Sequence, residues 1–154
     1  MEYRNLNILR NIASNIVNEV SDWYQDKVIW YGGELRKEFC YVDTVTKSIN
    51  PNEIIGSTHF LACSNQISWL NFLENLPRMD SFLKMDLNQL INFITYGKEN
   101  TKSCIEINNK YFIDSGNHRL TLAKFLNIEA VNVEVSIYKH KNEKKLFYFG
   151  NTYL

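Results

Sequence analysis

The chain has 154 residues, in which seventeen Lys and Arg balance seventeen Asp and Glu. A formal net charge of zero argues against a protein that holds nucleic acid through a uniformly basic face, so nucleic acid is not favoured as a partner. Hydrophobic residues make up 45% of the chain, which is enough for a packed core, and no apolar run is long enough to span a bilayer. We therefore expect one compact domain without a membrane partner.

The cysteines predict a reducing compartment. Cys40, Cys63 and Cys104 form no CxxC pair and are odd in number, and no recognisable signal peptide precedes them. We expect reduced thiols in the cytoplasm, packed as small core residues.

The first 45 residues predict a helix followed by a hairpin. Apolar residues recur at three-and-four spacing from Ile8 to Trp23, which predicts a helix of roughly five turns with one apolar stripe. The stretch "KVIWYGGELRKEFCYV" then has two β-prone runs around Gly32-Gly33, a pair that suits a tight hairpin turn.

The middle of the chain predicts a short strand and two helices. In "SINPNEIIGST", Pro51 favours a loop that leads into a strand. Helical patterns follow at 66–76, closed by Pro77, and at 86–97, where Asp86 and Gly97 are placed as caps. The tryptophans of the chain are interpreted as core residues rather than as base-stacking platforms.

The last third predicts a hairpin, a strand-turn-helix unit and a closing strand pair. "SCIEINNKYFID" divides at Asn108-Asn109 into two strands. "YFIDSGNHRLTLAKFL" changes at Gly116 from a β-prone run into a helix with a leucine stripe. "VNVEVSIY" alternates strictly and predicts a half-buried strand, with which "KLFYFG" is expected to pair.

The start of the helix after Gly116 is a candidate anion site. The first four N–H groups of a helix have no partner within it, and the helix dipole leaves positive charge there. Arg119 can add a planar fork of donors, and His118 can donate, accept or transfer a proton. In the alternative interpretation, Gly116 only makes a turn, Asn117 caps the helix and Arg119 pairs with a surface carboxylate.

The order of these elements resembles a known signature. "FIDSGNHRLTLAKFLNIEAVNVEV" is similar to the signature of the ParB/sulfiredoxin superfamily, and the match runs from Ile113 to Val135. The resemblance implies an α+β fold: a single compact domain with a small mixed sheet, packed helices and an extra N-terminal helix. Residues 1–45 would be a helix and hairpin extension, and residues 46–154 the nucleotide-binding domain.

The resemblance also implies nucleotide handling, with three departures. ParB proteins bind and hydrolyse CTP, sulfiredoxins use ATP, and relatives with a "DGHHR" turn phosphorylate serine. Sulfiredoxins have their reactive cysteine where this chain has Asn117, and no helix-turn-helix is recognisable after Ile137. Kinase-like members place Asp immediately before the Gly, where this chain has Ser115, with Asp114 one residue earlier. Either the turn swings Asp114 into the site, or Ser115 takes over as a phosphate donor.

The resemblance gives a set of candidate site residues. The phosphate or nucleotide ligands would be His59, Ser115, Gly116, Asn117, His118 and Arg119. The catalytic candidates are Glu53, Asp114 and His118, because "NPNEIIG" is similar to the context of a catalytic glutamate in kinase-like members. The expected cofactor is ATP or CTP with Mg²⁺, and Glu53 or Asp114 could anchor the metal.

Three functions remain open at this point. The leading hypothesis is an enzyme that hydrolyses a nucleoside triphosphate or transfers its phosphoryl group to an unknown acceptor. The alternative is a non-enzymatic regulatory or host-interaction module on the same scaffold. A ParB-like nuclease is less favoured, because the net charge is zero and no carboxylate cluster suits two metals. The sequence leaves the oligomeric state, including a homodimer, open.

Overall fold

One six-stranded mixed sheet organises the protein. The computed structural model describes residues 3–17, 21–96, 102–142, 148–149 and 152–153. The strands are β1 (Ile29–Trp30), β2 (Phe39–Ile49), β3 (Ile54–Ser57), β4 (Ser103–Ile107), β5 (Lys110–Ser115) and β6 (Val131–His140), in the spatial order β1-β3-β5-β4-β6-β2. The pairs β1–β3, β3–β5 and β4–β6 are parallel, whereas β4–β5 and β2–β6 are antiparallel. The mixed sheet with helices agrees with the expected α+β class.

The sheet separates two cores. The larger core contains alternate strand residues such as Ile113, Val133 and Val135 together with the helices. The smaller core lies on the other face, around Phe112 and Tyr31. Because successive side chains of a strand point to opposite faces, neighbours such as Phe112 and Ile113 belong to different cores.

Along the chain, the first helix precedes β1, and the other helices lie in segments that connect strands. The helices are α1 (Arg4–Ile12), α2 (Gly33–Arg36), α3 (Trp69–Asn75), α4 (Met79–Phe82), α5 (Leu87–Tyr96) and α6 (Asn117–Phe125). Short 3₁₀ helices occur at Asp22–Gln25, Pro51–Glu53 and Phe60–Ala62. None of the helices in the described part of the chain has the length and apolarity that a membrane crossing requires.

The predicted helices of the middle segment are confirmed. Ser68 caps α3 by accepting a hydrogen bond from the backbone N–H of Asn71 at 3.1 Å. Asp86 and Gln89 form a reciprocal capping box at the start of α5, at 2.8 and 3.1 Å. The predicted cap at Gly97 lies outside the described residues.

The predictions for 103–140 are confirmed as well. Asn108 and Asn109 have φ of 48° and 64°, the left-handed geometry of a tight turn, and they join β4 to β5. In β6, Val131, Val133 and Val135 are buried, while Asn132 and Glu134 are exposed. The alternation therefore identified both the strand and its buried face.

The N-terminal helix is shorter than predicted. α1 ends at Ile12, because Ala13 has φ −133° and ψ 54°. Ala13 and Val17 still enter the core, but through a turn in which both Ile16 and Val17 donate to the carbonyl of Ala13. Short polar side chains, Ser14 and Asn15, occupy this turn, and such residues compete with helical hydrogen bonds.

The hairpin predicted around Gly32-Gly33 is wrong. β1 and β2 lie at opposite edges of the sheet, where β1 pairs with β3 and β2 pairs with β6. Gly33 does adopt a positive φ of 58°, but it begins the one-turn helix α2 rather than a hairpin. β2 also runs through the boundary predicted between residues 45 and 46, so the first 45 residues supply strands to the same sheet.

Two further predictions need correction. "KLFYFG" was expected to pair with β6, but both edges of β6 are occupied by β2 and β4. The described residues of that segment, Tyr148–Phe149, pair instead with Thr152–Tyr153. Of the three cysteines expected in the core, Cys104 is buried, whereas Cys40 and Cys63 are exposed.

Candidate functional site

The predicted strand-turn-helix is formed at Gly116. β5 ends at Ser115, Gly116 has φ 80° and ψ 35°, and α6 begins at Asn117. A Cβ atom on Gly116 would lie 3.3 Å from Cα and 3.2 Å from Cγ of Lys102. Glycine is required here both by the left-handed backbone and by the close approach of the neighbouring chain.

The N-cap residue of α6 is Gly116. Gly116 offers no side-chain acceptor, and the first turn contains no acidic residue. Asn117 does not cap the helix, because its Oδ1 accepts a hydrogen bond from the hydroxyl of Ser57 at 2.6 Å. The interpretation in which Asn117 acts as the cap is therefore wrong, because the N-cap position belongs to Gly116.

The ends of two parallel strands meet beside this helix start. Ser57, the last residue of β3, accepts a hydrogen bond from the backbone N–H of His59 at 3.0 Å. Thr58 donates its hydroxyl to Asp114 Oδ1 at 3.1 Å and its backbone N–H to the carbonyl of Ile113 at 2.9 Å. Ser57 and Thr58 thus hold the turn in place.

Asp114 lies at an irregularity of the sheet. Ser103 pairs with Ser115, but Cys104 pairs with Ile113, so Asp114 is an extra residue on β5. Its side chain is exposed and held by Thr58, at the edge of the turn. Burial, with the Asp114 charge as a smaller cause, raises the pKa of the Cys104 thiol to about 12, so this thiol is unsuited to nucleophilic chemistry.

Ser115 and Asp114 therefore occupy different places. The Ser115 hydroxyl lies 2.7 Å from the hydroxyl of Ser103 on the neighbouring strand. Asp114 and Ser115 both lie next to the turn. Which of these two side chains contacts a ligand stays a prediction.

Two histidines lie next to the helix start. His59 Nδ1 accepts a hydrogen bond from the backbone N–H of Leu61 at 3.1 Å, and its ring stacks on Phe60. His118 Nε2 lies 2.6 Å from the carbonyl oxygen of Pro77, and its ring stacks on Phe82. A carbonyl only accepts, so His118 Nε2 carries a proton. Burial, and then the charge of His118, lowers the pKa of His59, which places the two rings within electrostatic reach.

Arg119 is buried rather than presented at the surface. It is 4% exposed, its guanidinium lies 3.8 Å from the ring centre of Phe93, and its Nε has no partner among the described residues. Burial lowers its pKa. The alternative of a surface ion pair is therefore wrong, and Arg119 as a phosphate ligand stays a prediction.

Lys102 is a second buried cation at this end of α6. Its Nζ donates to the carbonyl oxygens of Ile94 and Thr95, the latter at 3.2 Å, near the C-terminus of α5. Burial, and then the charge of Arg119, lowers the pKa of Lys102. The pair adds positive charge behind the turn.

The structure does not bring Glu53 to this site. Glu53 is exposed and precedes β3, whereas the turn lies at the other end of that strand, after Ser57. The neighbouring Asn52 bonds to Asn127, just beyond the C-terminus of α6, at 3.3 Å. Glu53 is thus a strand length away from Asp114 and His118. Among the described residues, no group of three or more His, Cys, Asp and Glu side chains is arranged to hold a metal ion.

Sequence reasoning missed Ser57, Thr58 and Lys102 as parts of this site. The signal for the first two was available, since they end the strand of "EIIGST" and parallel neighbours carry their ends to one edge. Lys102 gave no signal, because its packing against Gly116 depends on the register of β4 and β5.

In comparisons with known proteins, no family model, no curated protein and no solved structure matches this chain. The resemblance to the ParB/sulfiredoxin signature accordingly stays an expectation from the sequence.

Proposed function

We propose that the turn from Asp114 to Arg119 binds the phosphate groups of a nucleotide, and that the protein is a nucleotide-binding module. One observation carries this proposal: the N-cap residue of α6 is Gly116, which has no side-chain acceptor, and the first turn has no acid. Helix N–H groups in that state form a prepared anion site. The motif's resemblance to the ParB/sulfiredoxin signature supports the same ligand class.

The surrounding charges favour an anion. His59, His118, Lys102 and Arg119 gather around the helix start. The pKa of Lys102 is lowered in part by the charge of Arg119, so these two cations repel each other. Asp114 is the one acid of the turn, and it is exposed to solvent. A phosphate group would relieve this repulsion.

The geometry supports binding better than phosphoryl transfer. Glu53 lies at the other end of β3, and His118 already donates to Pro77. Mg²⁺ would accompany the nucleotide on its phosphate oxygens, with Asp114 as the nearest carboxylate of the turn. An enzyme would have to rely on Asp114 and His118 alone.

The test compares thermal unfolding with and without anions. Inorganic phosphate, ATP and CTP are added, the nucleotides with and without Mg²⁺. A ligand at about 100 times its Kd stabilises the folded state by about 2.7 kcal/mol, which raises Tm by several degrees. Arg119→Ala is a poor variant for this purpose, because Arg119 is buried against Phe93.

Asn117→Asp is the sharper variant. The carboxylate keeps an acceptor for the Ser57 hydroxyl and places negative charge at the helix start, where it competes with the ligand. We expect the variant to fold, to be at least as stable as the wild type, and to lose the response to anions. Asn71→Asp, in the first turn of α3, makes the same change at another helix and should keep the response.

Two results would contradict the proposal. The first is a Tm that none of the anions changes, and the second is an Asn117→Asp variant that responds as the wild type does. Nucleoside-diphosphate release is measured in parallel. Turnover that exceeds buffer and is lost in Asp114→Asn would replace the module by the phosphoryl-transfer enzyme, whereas Glu53→Gln should leave any such rate unchanged.

A further inference from the structure

A cavity of about 580 Å³ lies at the opposite end of α6. Its walls come from the last turn of α6, the 3₁₀ helix Asp22–Gln25, the start of β3 and the start of α3. Trp23 and Trp69 supply aromatic walls, and Asn52 and Asn127 supply polar ones. This volume is in the range of small-molecule sites.

The amine of Lys124 lies in the wall of this cavity. Its Nζ donates to the carbonyl oxygen of Ile54 at 3.0 Å and lies 4.8 Å and 5.1 Å from the ring centres of Trp23 and Trp69. All of these residues line the cavity, as Lys124 does. Lys124 is 7% exposed, so the cavity is the route by which a small molecule would meet the amine.

The charges near Lys124 do not hold it in the protonated form. Asp26 favours the charged amine, Lys110 on β5 opposes it, and Lys27 also lines the cavity. Burial is the largest influence and lowers the pKa of Lys124 to about 8. About half of this amine is neutral at pH 8, whereas an ordinary lysine with pKa about 10.4 is less than about 1% neutral.

We propose that Lys124 is a nucleophilic amine that forms an imine with the carbonyl group of an aromatic aldehyde or ketone bound in this cavity. Desolvated lysines in apolar pockets are the usual amine nucleophiles. The indole rings of Trp23 and Trp69, both close to Nζ, provide flat walls for an aromatic ligand. The site is separate from the phosphate site, because α6 lies between them.

The step is a condensation. The lone pair of the neutral amine attacks the carbonyl carbon, and the π electrons of the carbonyl move to its oxygen. A proton passes from nitrogen to that oxygen to give a carbinolamine, which then loses water as the C=N bond forms. Asp26 is the carboxylate that lines the cavity and can relay these protons.

The experiment traps the imine in the full chain. Limiting benzaldehyde is added at pH 8 with cyanoborohydride, whose hydride reduces the C=N bond to a stable secondary amine. Peptide mass spectrometry then locates the adduct, which adds the mass of the aldehyde less one oxygen atom. We expect Lys124 to be labelled at least roughly tenfold faster than the other lysines, in line with its neutral fraction.

Lys102 is the matched control within the same chain. It is also 7% exposed and its pKa is also lowered by burial, but it does not line the cavity. Labelling of Lys102 at the same rate would show that access through the cavity contributes nothing. We expect Lys124 to react faster, and excess benzyl alcohol, which fits the same aromatic walls, to slow only Lys124.

Two variants complete the test. Lys124→Arg keeps the positive charge but cannot form the imine, and should remove the fast adduct, whereas Lys102→Arg should leave it. Equal labelling of Lys124 and Lys102 in the wild type, or labelling of Lys124 that benzyl alcohol does not slow, would overturn the proposal. These wild-type measurements decide the matter even if a variant fails to fold.

Discussion

Cations are buried near both ends of α6, but the groups around them differ. At the start, Lys102 and Arg119 lie behind helix N–H groups and close to two histidines. At the far end, Lys124 faces a carbonyl oxygen and two indole rings. Burial lowers the pKa of the lysine at both ends, and a second cation lowers it further in each case, Arg119 for Lys102 and Lys110 for Lys124. A lowered lysine pKa does not by itself identify a function, so the anion site that we propose near Lys102 and the reactive amine that we propose at Lys124 rest on the groups around them.

The largest expected effect is a rise in stability with pH that comes from Lys124. Below about pH 8 its amine is charged in both states, and the cost of burying the charge is present in full. Between about pH 8 and 10.5 the unfolded chain binds more protons than the folded one, so the free energy of unfolding increases with pH, by up to about 3 kcal/mol. Urea unfolding at successive pH values measures this.

In that experiment, Lys124→Met separates the contribution of Lys124 to the pH dependence from that of Lys102. The variant should lose the Lys124 share of the rise and keep the smaller share of Lys102, whose pKa is also lowered. The comparison is best made below pH 10, because burial raises the pKa of Tyr24, Tyr31 and Tyr111, and such tyrosines lower stability once the unfolded chain ionises. Identical pH profiles for variant and wild type would contradict the assignment.

Gly116→Ala should break the start of α6 at an intermediate cost. Alanine pays for the left-handed backbone at φ 80°, and its Cβ would press on Lys102 Cα at 3.3 Å, which moves only if the start of β4 shifts. We expect a loss of about 2 kcal/mol in denaturant unfolding. Gly33→Ala, at φ 58°, is the comparison in which the backbone is also left-handed but the close contact, Trp30 Cζ3 at 3.2 Å, is a side-chain ring rather than a backbone atom. A larger loss for Gly33→Ala than for Gly116→Ala would contradict the packing argument.

Ser57→Ala should have the smallest effect on stability and the most selective effect on function. Its hydroxyl is buried and links His59 N–H to Asn117 Oδ1, so its removal should cost about 1 kcal/mol. We expect a weaker Tm response to phosphate and an unchanged labelling rate at Lys124. Ser48→Ala, on the exposed face of β2, should change neither. A loss of Lys124 labelling in Ser57→Ala would show that the two ends are not independent.

Local sequence patterns predicted the fold correctly where a pattern is compatible with only one backbone geometry. Asn108-Asn109 between two β-prone runs, Gly116 between a strand and a helix, and the alternation after Val131 each fix a backbone geometry with few residues. The same holds for the capped start of α5 at Asp86. The turn residues of the candidate site were found for this reason.

The features that the sequence did not predict depend on contacts between residues far apart in the sequence. Gly32-Gly33 suits a hairpin locally, but the strands on either side find partners at opposite edges of the sheet. Arg119 carries the charge expected of a phosphate ligand, yet its position on α6 places its guanidinium against the ring of Phe93. Lys124 lies among apolar residues in "LTLAKFL", where the sequence alone does not distinguish a charge at the surface from one between two tryptophans.

The continuity of β4, β5, α6 and β6 along the chain has a consequence for how the protein folds. These elements follow one another from Ser103 to His140: β4 and β5 form a hairpin, and β6 returns to pair with β4 at Cys104–Val135. β2 must instead align Ile49 with Val131, across a much longer loop. We expect 103–140 to contain the folding nucleus, with β2 adding afterwards. Amide hydrogens at the centre of β5 and α6 should then exchange with solvent most slowly, and those of the edge strand β1 most rapidly.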